Sequence, residues 1–279
     1  MSSDRPRSVD NSTLGQSVRY AGDYDPSRLF PIARDENRQK LQRPADMPMF
    51  GFDLWNAYEL SWLQPGGKPQ VALAEIRVPA DSPCLIESKS LKLYLNGFMQ
   101  TRMDSAAAIA ERICQDLSGA AGGPVKVHVQ ELHAAAEKFD PLRGECIDQL
   151  PLDVSQYDQP SAAMLSCAPE RRVREVLVSH LLKSNCPVTG QPDWASVQIE
   201  YAGSALDRAS LLAYLIAYRE HAEFHEHCVE QIYCDLWQRL QPTHLSVYAR
   251  YTRRGGIDIN PFRCSHAALR PLNCRQWRQ

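Results

Sequence analysis

The feature that most constrains this 279-residue chain is that it repeats itself. Laid over itself at an offset of 120 residues (207 − 87), Glu87 falls on Asp207, Ser90 on Ser210, Leu91 on Leu211, Tyr94 on Tyr214 and Leu95 on Leu215. The same shift puts Cys114 on Cys234 and Val127 on Val247. Around these matches the apolar pattern also recurs. Ala74, Ile76 and Val78 alternate with polar residues, then Ile109, Ile113 and Leu117 recur at helical spacing, and Val125, Val127 and Val129 alternate again. In the second half Val197, Ile199 and Tyr201 alternate, Cys228, Val229, Ile232 and Leu236 mark an amphipathic helix, and Leu245, Val247, Ala249 and Tyr251 alternate.

Strand, helix and strand in each half predict an α+β fold of two tandem units, with antiparallel sheets and helices on one face. A chain of this length holds two ordinary domains. Residues 1–48 are polar and proline-rich with apolar anchors at Tyr20, Tyr24, Leu29 and Phe30, which predicts an irregular lead-in. The first unit is expected over 49–150, a linker over 151–162, and the second unit over 163–279.

Composition narrows the function by exclusion. A net charge of −2 gives no basis for a nucleic-acid or anionic-membrane partner. The longest apolar run, Leu211 to Tyr218, is too short to cross a bilayer, and the opening MSSDRPRSVDNSTLGQS has no apolar signal core, so a cytoplasmic protein is expected. Nine cysteines without regular spacing predict reduced thiols rather than a disulfide framework.

Four segments carry residues suited to chemistry. In Ser184-Asn185-Cys186-Pro187-Val188-Thr189-Gly190-Gln191-Pro192-Asp193-Trp194, two prolines and a glycine break regular structure and place Cys186 and Asp193 on a constrained loop. Cysteine is the natural nucleophile for an electron-poor carbon, and a neighbouring carboxylic acid can donate the proton. The same spacing suits a buried structural cysteine and a turn aspartate. In Ile86-Glu87-Ser88-Lys89-Ser90, Glu87 suits paired hydrogen bonds from an amidine edge and Lys89 a phosphate, or the segment is simply a helix start with an acid in its first turn. His221 and His225 stand at metal-ligand spacing, but HExxH is absent, so no metal is assigned; the histidines suit a pocket wall or a solvated face equally. Finally, Arg253-Arg254-Gly255-Gly256 ends an alternating strand, as a hairpin tip or as a grip on an anion. No GxGxxG or Walker motif occurs.

Together the segments YDPSRLFP, ESKSLKLYLNGF, NCPVTGQPDW, FHE and RRGGIDINPFR, in this order, resemble the long form of the 7-cyano-7-deazaguanine reductase family, the nitrile reductases of queuosine biosynthesis. The resemblance implies two tunnelling-fold (T-fold) units, with site residues drawn from both, and a likeness to homodimeric or larger assemblies. It implies that Cys186 attacks the nitrile carbon of 7-cyano-7-deazaguanine to form a thioimide, that Asp193 supplies protons, and that two NADPH in succession reduce the adduct to the primary amine. It further implies that Ile86, Glu87, Ser88, His225 and Glu226 contact substrate, and that Ser88, Lys89, Arg254 and Gly255 contact NADPH. A zinc-dependent T-fold cyclohydrolase using Cys186 and His225 as ligands, and a non-catalytic purine-binding protein, are the alternatives.

Overall fold

The computed structural model describes residues 23–132 and 139–279, and Tyr20 lies outside them. The chain divides into two compact units. Among the described residues the first takes in 23–38, 53–132 and 253–258, the second 39–52, 139–252 and 259–279. No helix among these residues is long and apolar enough to cross a membrane.

In the first unit the lead-in contributes regular structure: β1 (Pro31–Ala33) and α1 (Arg34–Arg38). The strand β2 (Phe50–Leu63) turns back into β3 (Pro69–Pro79). Gly67 makes that turn possible at φ +88°, in the left-handed region where a side chain is disfavoured. A short β4 (Cys84–Ile86) pairs antiparallel with β1, and then come α2 (Ser88–Asn96), α3 (Ala106–Ala121) and β5 (Lys126–Glu131). The strand order is β5-β3-β2. The alternation read in 72–78 appears as alternate burial along β3, and α3 buries the expected stripe of Ile109, Ile113 and Leu117.

The second unit runs β6 (Glu145–Cys146), β7 (Cys167–Ser179), β8 (Lys183–Asn185), β9 (Pro192–Leu206), α4 (Arg208–Ile216), α5 (His225–Leu240), β10 (His244–Tyr251) and β11 (Ile257–Cys264). Its order is β11-β10-β9-β7-β6, antiparallel except for β6 on β7, with β8 added onto β9. Ala195, Val197, Ile199 and Tyr201 on β9 share a face with Leu245, Val247, Ala249 and Tyr251 on β10, and α5 buries Cys228, Val229, Ile232 and Leu236 in the same core. The mixed α+β class with antiparallel sheets is therefore observed.

The two units repeat one device, with a register the ungapped overlay does not give. The helix α4 starts 120 residues after α2 (208 − 88), both are nine residues long, and each is capped by the acid preceding it. However, α5 starts 119 residues after α3 (225 − 106), both being 16 residues long. One residue is thus missing from the second connection, and Cys114 and Cys234 are not equivalent. The buried stripe sets the register instead: Ile109, Ile113 and Leu117 correspond to Cys228, Ile232 and Leu236, all fully buried. The corrected shift brings out a further match. Tyr94 donates its hydroxyl to Asp116 at 2.7 Å, and Tyr214 to Asp235 at 2.6 Å, so a Tyr–Asp clamp joins the two helices of each unit.

Candidate active site

The cysteine loop is the turn of a hairpin. Ser184 lies opposite Asp193, and Asn185 opposite Pro192, and the turn is closed by Cys186 N–H on the Gln191 carbonyl (2.9 Å) and Gly190 N–H on the Cys186 carbonyl (3.0 Å). Cys186 is on the loop, as expected, but Asp193 is the second residue of strand β9. Proline forbids only the interior of a sheet; at the first position of a strand its missing N–H costs nothing, so Pro192 starts β9 instead of excluding it.

That difference gives the site its geometry. Side chains alternate along a strand and directly opposed residues share a face. Ser184 and Asp193, a directly opposed pair, therefore share a face, Tyr251, opposite Ala195 on β10, joins them, and Cys186 follows one residue beyond the end of β8. Cys186 is 5 % and Asp193 6 % exposed, so both side chains are shielded from water.

The N-terminus of α5 is fixed over this face by the chain before it. Asn185 N–H donates to the His221 carbonyl (2.8 Å) and Glu223 N–H to the Asn185 carbonyl (3.0 Å), tying the FHE segment to the cysteine hairpin. His225 then places Nε2 3.1 Å from Asp193 Oδ2 and stacks on Tyr251, with ring centroids 3.8 Å apart. Its other ring nitrogen, Nδ1, is buried without a hydrogen-bond partner, whereas the Ser184 and Tyr251 hydroxyls and the Cys228 thiol hydrogen-bond among themselves. Buried polar atoms are nearly always satisfied, so the lone Nδ1 suits a polar atom supplied from elsewhere. Burial holds the Tyr251 hydroxyl and the Cys228 thiol far above their ordinary pKa values, so both stay neutral behind the pair. Glu226, next to His225, is buried, while Glu223 is engaged by His227 at 3.1 Å. Burial alone raises the Glu223 carboxyl, but the His227 hydrogen bond and charge outweigh it and hold the carboxyl below its usual value.

The remaining candidates gather in the first unit. Glu87 is fully buried and caps α2, accepting from Lys89 N–H at 2.6 Å and Ser90 N–H at 2.8 Å. The helix start is thus real, but it is not solvated, and burial holds the Glu87 carboxyl above the usual carboxylate range despite those two donors. A carboxylate offers about four lone-pair sites. The Ser88 hydroxyl takes a third at 3.5 Å, which leaves room for a further donor. Ile86 is buried at the end of β4, and Ser88 and Lys89 are half-buried in the first turn of α2.

Arg254 and Gly255 open a tight turn in which Arg254 N–H donates to the Ile257 carbonyl at 2.9 Å, with Gly255 and Gly256 at φ +61° and +79°. Two successive left-handed residues define the type I′ hairpin turn, so the paired glycines are required by geometry. A methyl group on Gly255 would meet the Lys92 side chain at 3.2 Å. The glycine turn and Lys92 thus line one cleft of about 230 Å³, together with Glu59, Leu95 and Asn96. Sequence reading assigned no role to Lys92 or Tyr251. Lys92 was legible as the residue one turn beyond Lys89, whereas Tyr251 is 65 residues from Cys186 (251 − 186) and only strand register reveals it.

A buried cysteine at the tip of a hairpin whose second strand carries a carboxylate–imidazole pair is a set of groups that suits an α+β enzyme. Comparison with known proteins makes this specific. The family model described as "Nitrile reductase, 7-cyano-7-deazaguanine-reductase N-term" matches residues 20–129, and that described as "QueF-like protein" matches 192–269. A Bordetella bronchiseptica protein named NADPH-dependent 7-cyano-7-deazaguanine reductase is 52% identical over 98% of this chain and 100% of its own length. A protein of the same name from Azoarcus sp. is 55% identical over 96% of this chain and 95% of its own. The chain belongs to the family of NADPH-dependent 7-cyano-7-deazaguanine reductases.

Proposed function

We propose that this protein reduces the nitrile of 7-cyano-7-deazaguanine to 7-aminomethyl-7-deazaguanine, through a thioimide on Cys186, within queuosine biosynthesis in the cytoplasm. The observation that carries the proposal is the buried Cys186 at the tip of the hairpin whose second strand carries the buried Asp193, with its carboxylate 3.1 Å from His225 Nε2. A nitrile carbon is a weak electrophile. Addition of the Cys186 thiol forms a C–S bond, places a proton on the nitrile nitrogen, and yields an imine-like carbon that accepts hydride more readily. In this reading Asp193 moves that proton and His225, 3.1 Å from its carboxylate, restores it. The covalent bond also retains the half-reduced substrate.

Recognition falls to Glu226 beside His225, and to Ile86, Glu87 and Ser88. An ionised carboxylate accepts from the paired N–H groups of a guanine-like edge, and both glutamates are buried, which strengthens such bonds. NADPH supplies hydride, two equivalents for a four-electron reduction. The residues fit it: Ser88, Lys89, Lys92 and Arg254 offer donors and positive charge, and the Gly255 turn lets backbone approach a phosphate where a side chain would strike Lys92.

We further propose that the two units are tandem tunnelling folds and that the protein acts as a homodimer without nucleic acid. The repeated α2–α3 and α4–α5 pairs, each clamped by a Tyr–Asp hydrogen bond, support the duplication. The test of function is NADPH oxidation with 7-cyano-7-deazaguanine and chromatography of the product. Two NADPH consumed per amine formed is expected, with Cys186→Ala inactive; unchanged turnover by Cys186→Ala refutes the mechanism.

A further inference from the structure

Away from the cysteine loop, the second unit carries an exposed thiol, Cys146, in company that a structural cysteine does not need. The short strand β6 runs parallel to the end of β7, with Cys146 opposite Val178 and Ile147 N–H on the Val178 carbonyl at 3.0 Å. Gly144 makes this approach possible, because a methyl group there would strike the Val176 carbonyl oxygen at 2.7 Å. The result is that Cys146, Asp148 and His180 each direct one ligand atom to a common point, all within 4.8 Å of one another.

Two of the three ligands are already oriented. Asp148 accepts from the Ser179 hydroxyl at 2.6 Å and from His180 N–H at 2.9 Å, fixing its carboxylate plane. His180 Nδ1 is held by the Ser196 hydroxyl at 2.8 Å, which leaves Nε2 as the ligating nitrogen. Outer hydrogen bonds of this kind set ring orientation and tautomer in metal sites. A thiolate and a carboxylate together carry two negative charges, which a divalent cation neutralises. A sulfur, nitrogen and oxygen set selects zinc-like ions over magnesium or calcium.

We propose that Cys146, Asp148 and His180 form a binding site for a divalent cation of the zinc class, with three protein ligands and a fourth position open. Exposed Cys146 has the side-chain freedom to close on the ion, since tetrahedral bonds of about 2.0–2.3 Å need the ligand atoms nearer together than they stand. The site is independent of the nitrile chemistry, so its failure leaves that reading untouched.

The experiment is titration of the full-length, chelator-stripped and reduced protein with Co²⁺ and Zn²⁺, in a Cys186→Ala background that removes the loop thiol. One equivalent of Co²⁺ should bind with a thiolate-to-metal charge-transfer band, displaced by one equivalent of Zn²⁺. Cys146→Ser should abolish the band and weaken Zn²⁺ binding by roughly 100-fold or more. Ser196→Ala, which leaves all three ligands in place, should weaken it about tenfold through the His180 ring. Circular dichroism checks the fold, and Ser196→Ala keeps the test open if Cys146→Ser does not fold. Absence of stoichiometric binding, or a Co²⁺ spectrum that Cys146→Ser or Ser196→Ala leaves unchanged, overturns the proposal.

Discussion

Asp193 stands at the second position of β9 with its carboxylate 3.1 Å from His225, and both its burial and its direction follow from the strand pairing with Ser184. Replacing it with asparagine preserves volume and hydrogen bonding but removes the transferable proton. Asp193→Asn should lower kcat by about 10²–10⁴ while substrate binding persists, and steady-state kinetics with separate kcat and KM check this. A fall confined to KM would assign Asp193 to binding. The residue types of the site were legible in sequence because proline and glycine flank Cys186 so closely, yet the reason they cooperate was not. Loop constraint alone predicts proximity, whereas the shared face of Ser184, Asp193 and Tyr251 beside the Cys186 loop depends on pairing between β8, β9 and β10. Glu87 shows the converse: its cap on α2 was an anticipated alternative, but full burial of its carboxylate is a tertiary fact.

At the scale of elements, the helix pair α4–α5 contains a titration that can be read out. Burial pushes the Asp235 carboxyl from 3.8 up to about 6, although the Tyr214 hydroxyl donates to it. A raised carboxyl pKa favours the folded state where the acid is protonated, so this contribution is full below pH 3.8 and lost as pH rises through about 6. Relative to Asp235→Asn, the unmodified protein should lose on the order of 2–3 kcal/mol of stability across that window. Urea unfolding at pH 4 and pH 7 measures it, and parallel pH profiles would contradict the assignment. The turn after β10 makes a second element-scale expectation. Gly256→Ala places a side chain at φ +79° and against the Glu59 carboxylate at 2.4 Å, so destabilisation of about 1–2 kcal/mol is expected in the same assay. Elements with one wet face, such as β3 and α3, announced themselves by periodicity. By contrast, β11 is buried at all eight positions and has no alternation to read, and β7 is exposed along much of its length, so neither carried a signal. The one-residue deletion between α4 and α5 hid Asp235 as the partner of Asp116, because an ungapped overlay sets Leu236 there instead.

At the scale of the whole molecule, two compact units repeat the same capped helix, clamp and strand but have diverged in what they carry. The acid capping the first helix is the buried Glu87, and its counterpart Asp207 is exposed; the cysteine hairpin occurs only in the second unit among the described residues. Family membership, with relatives above 50% identity along nearly the full chain, fixes the kind of chemistry. In the proposed mechanism the atom that performs it is the Cys186 sulfur. The most direct test is intact mass after incubation with 7-cyano-7-deazaguanine in the absence of NADPH. One covalent adduct per chain, equal in mass to the substrate and absent from Cys186→Ala, is the expected result; an unmodified wild-type mass, or an adduct that survives in Cys186→Ala, would contradict it.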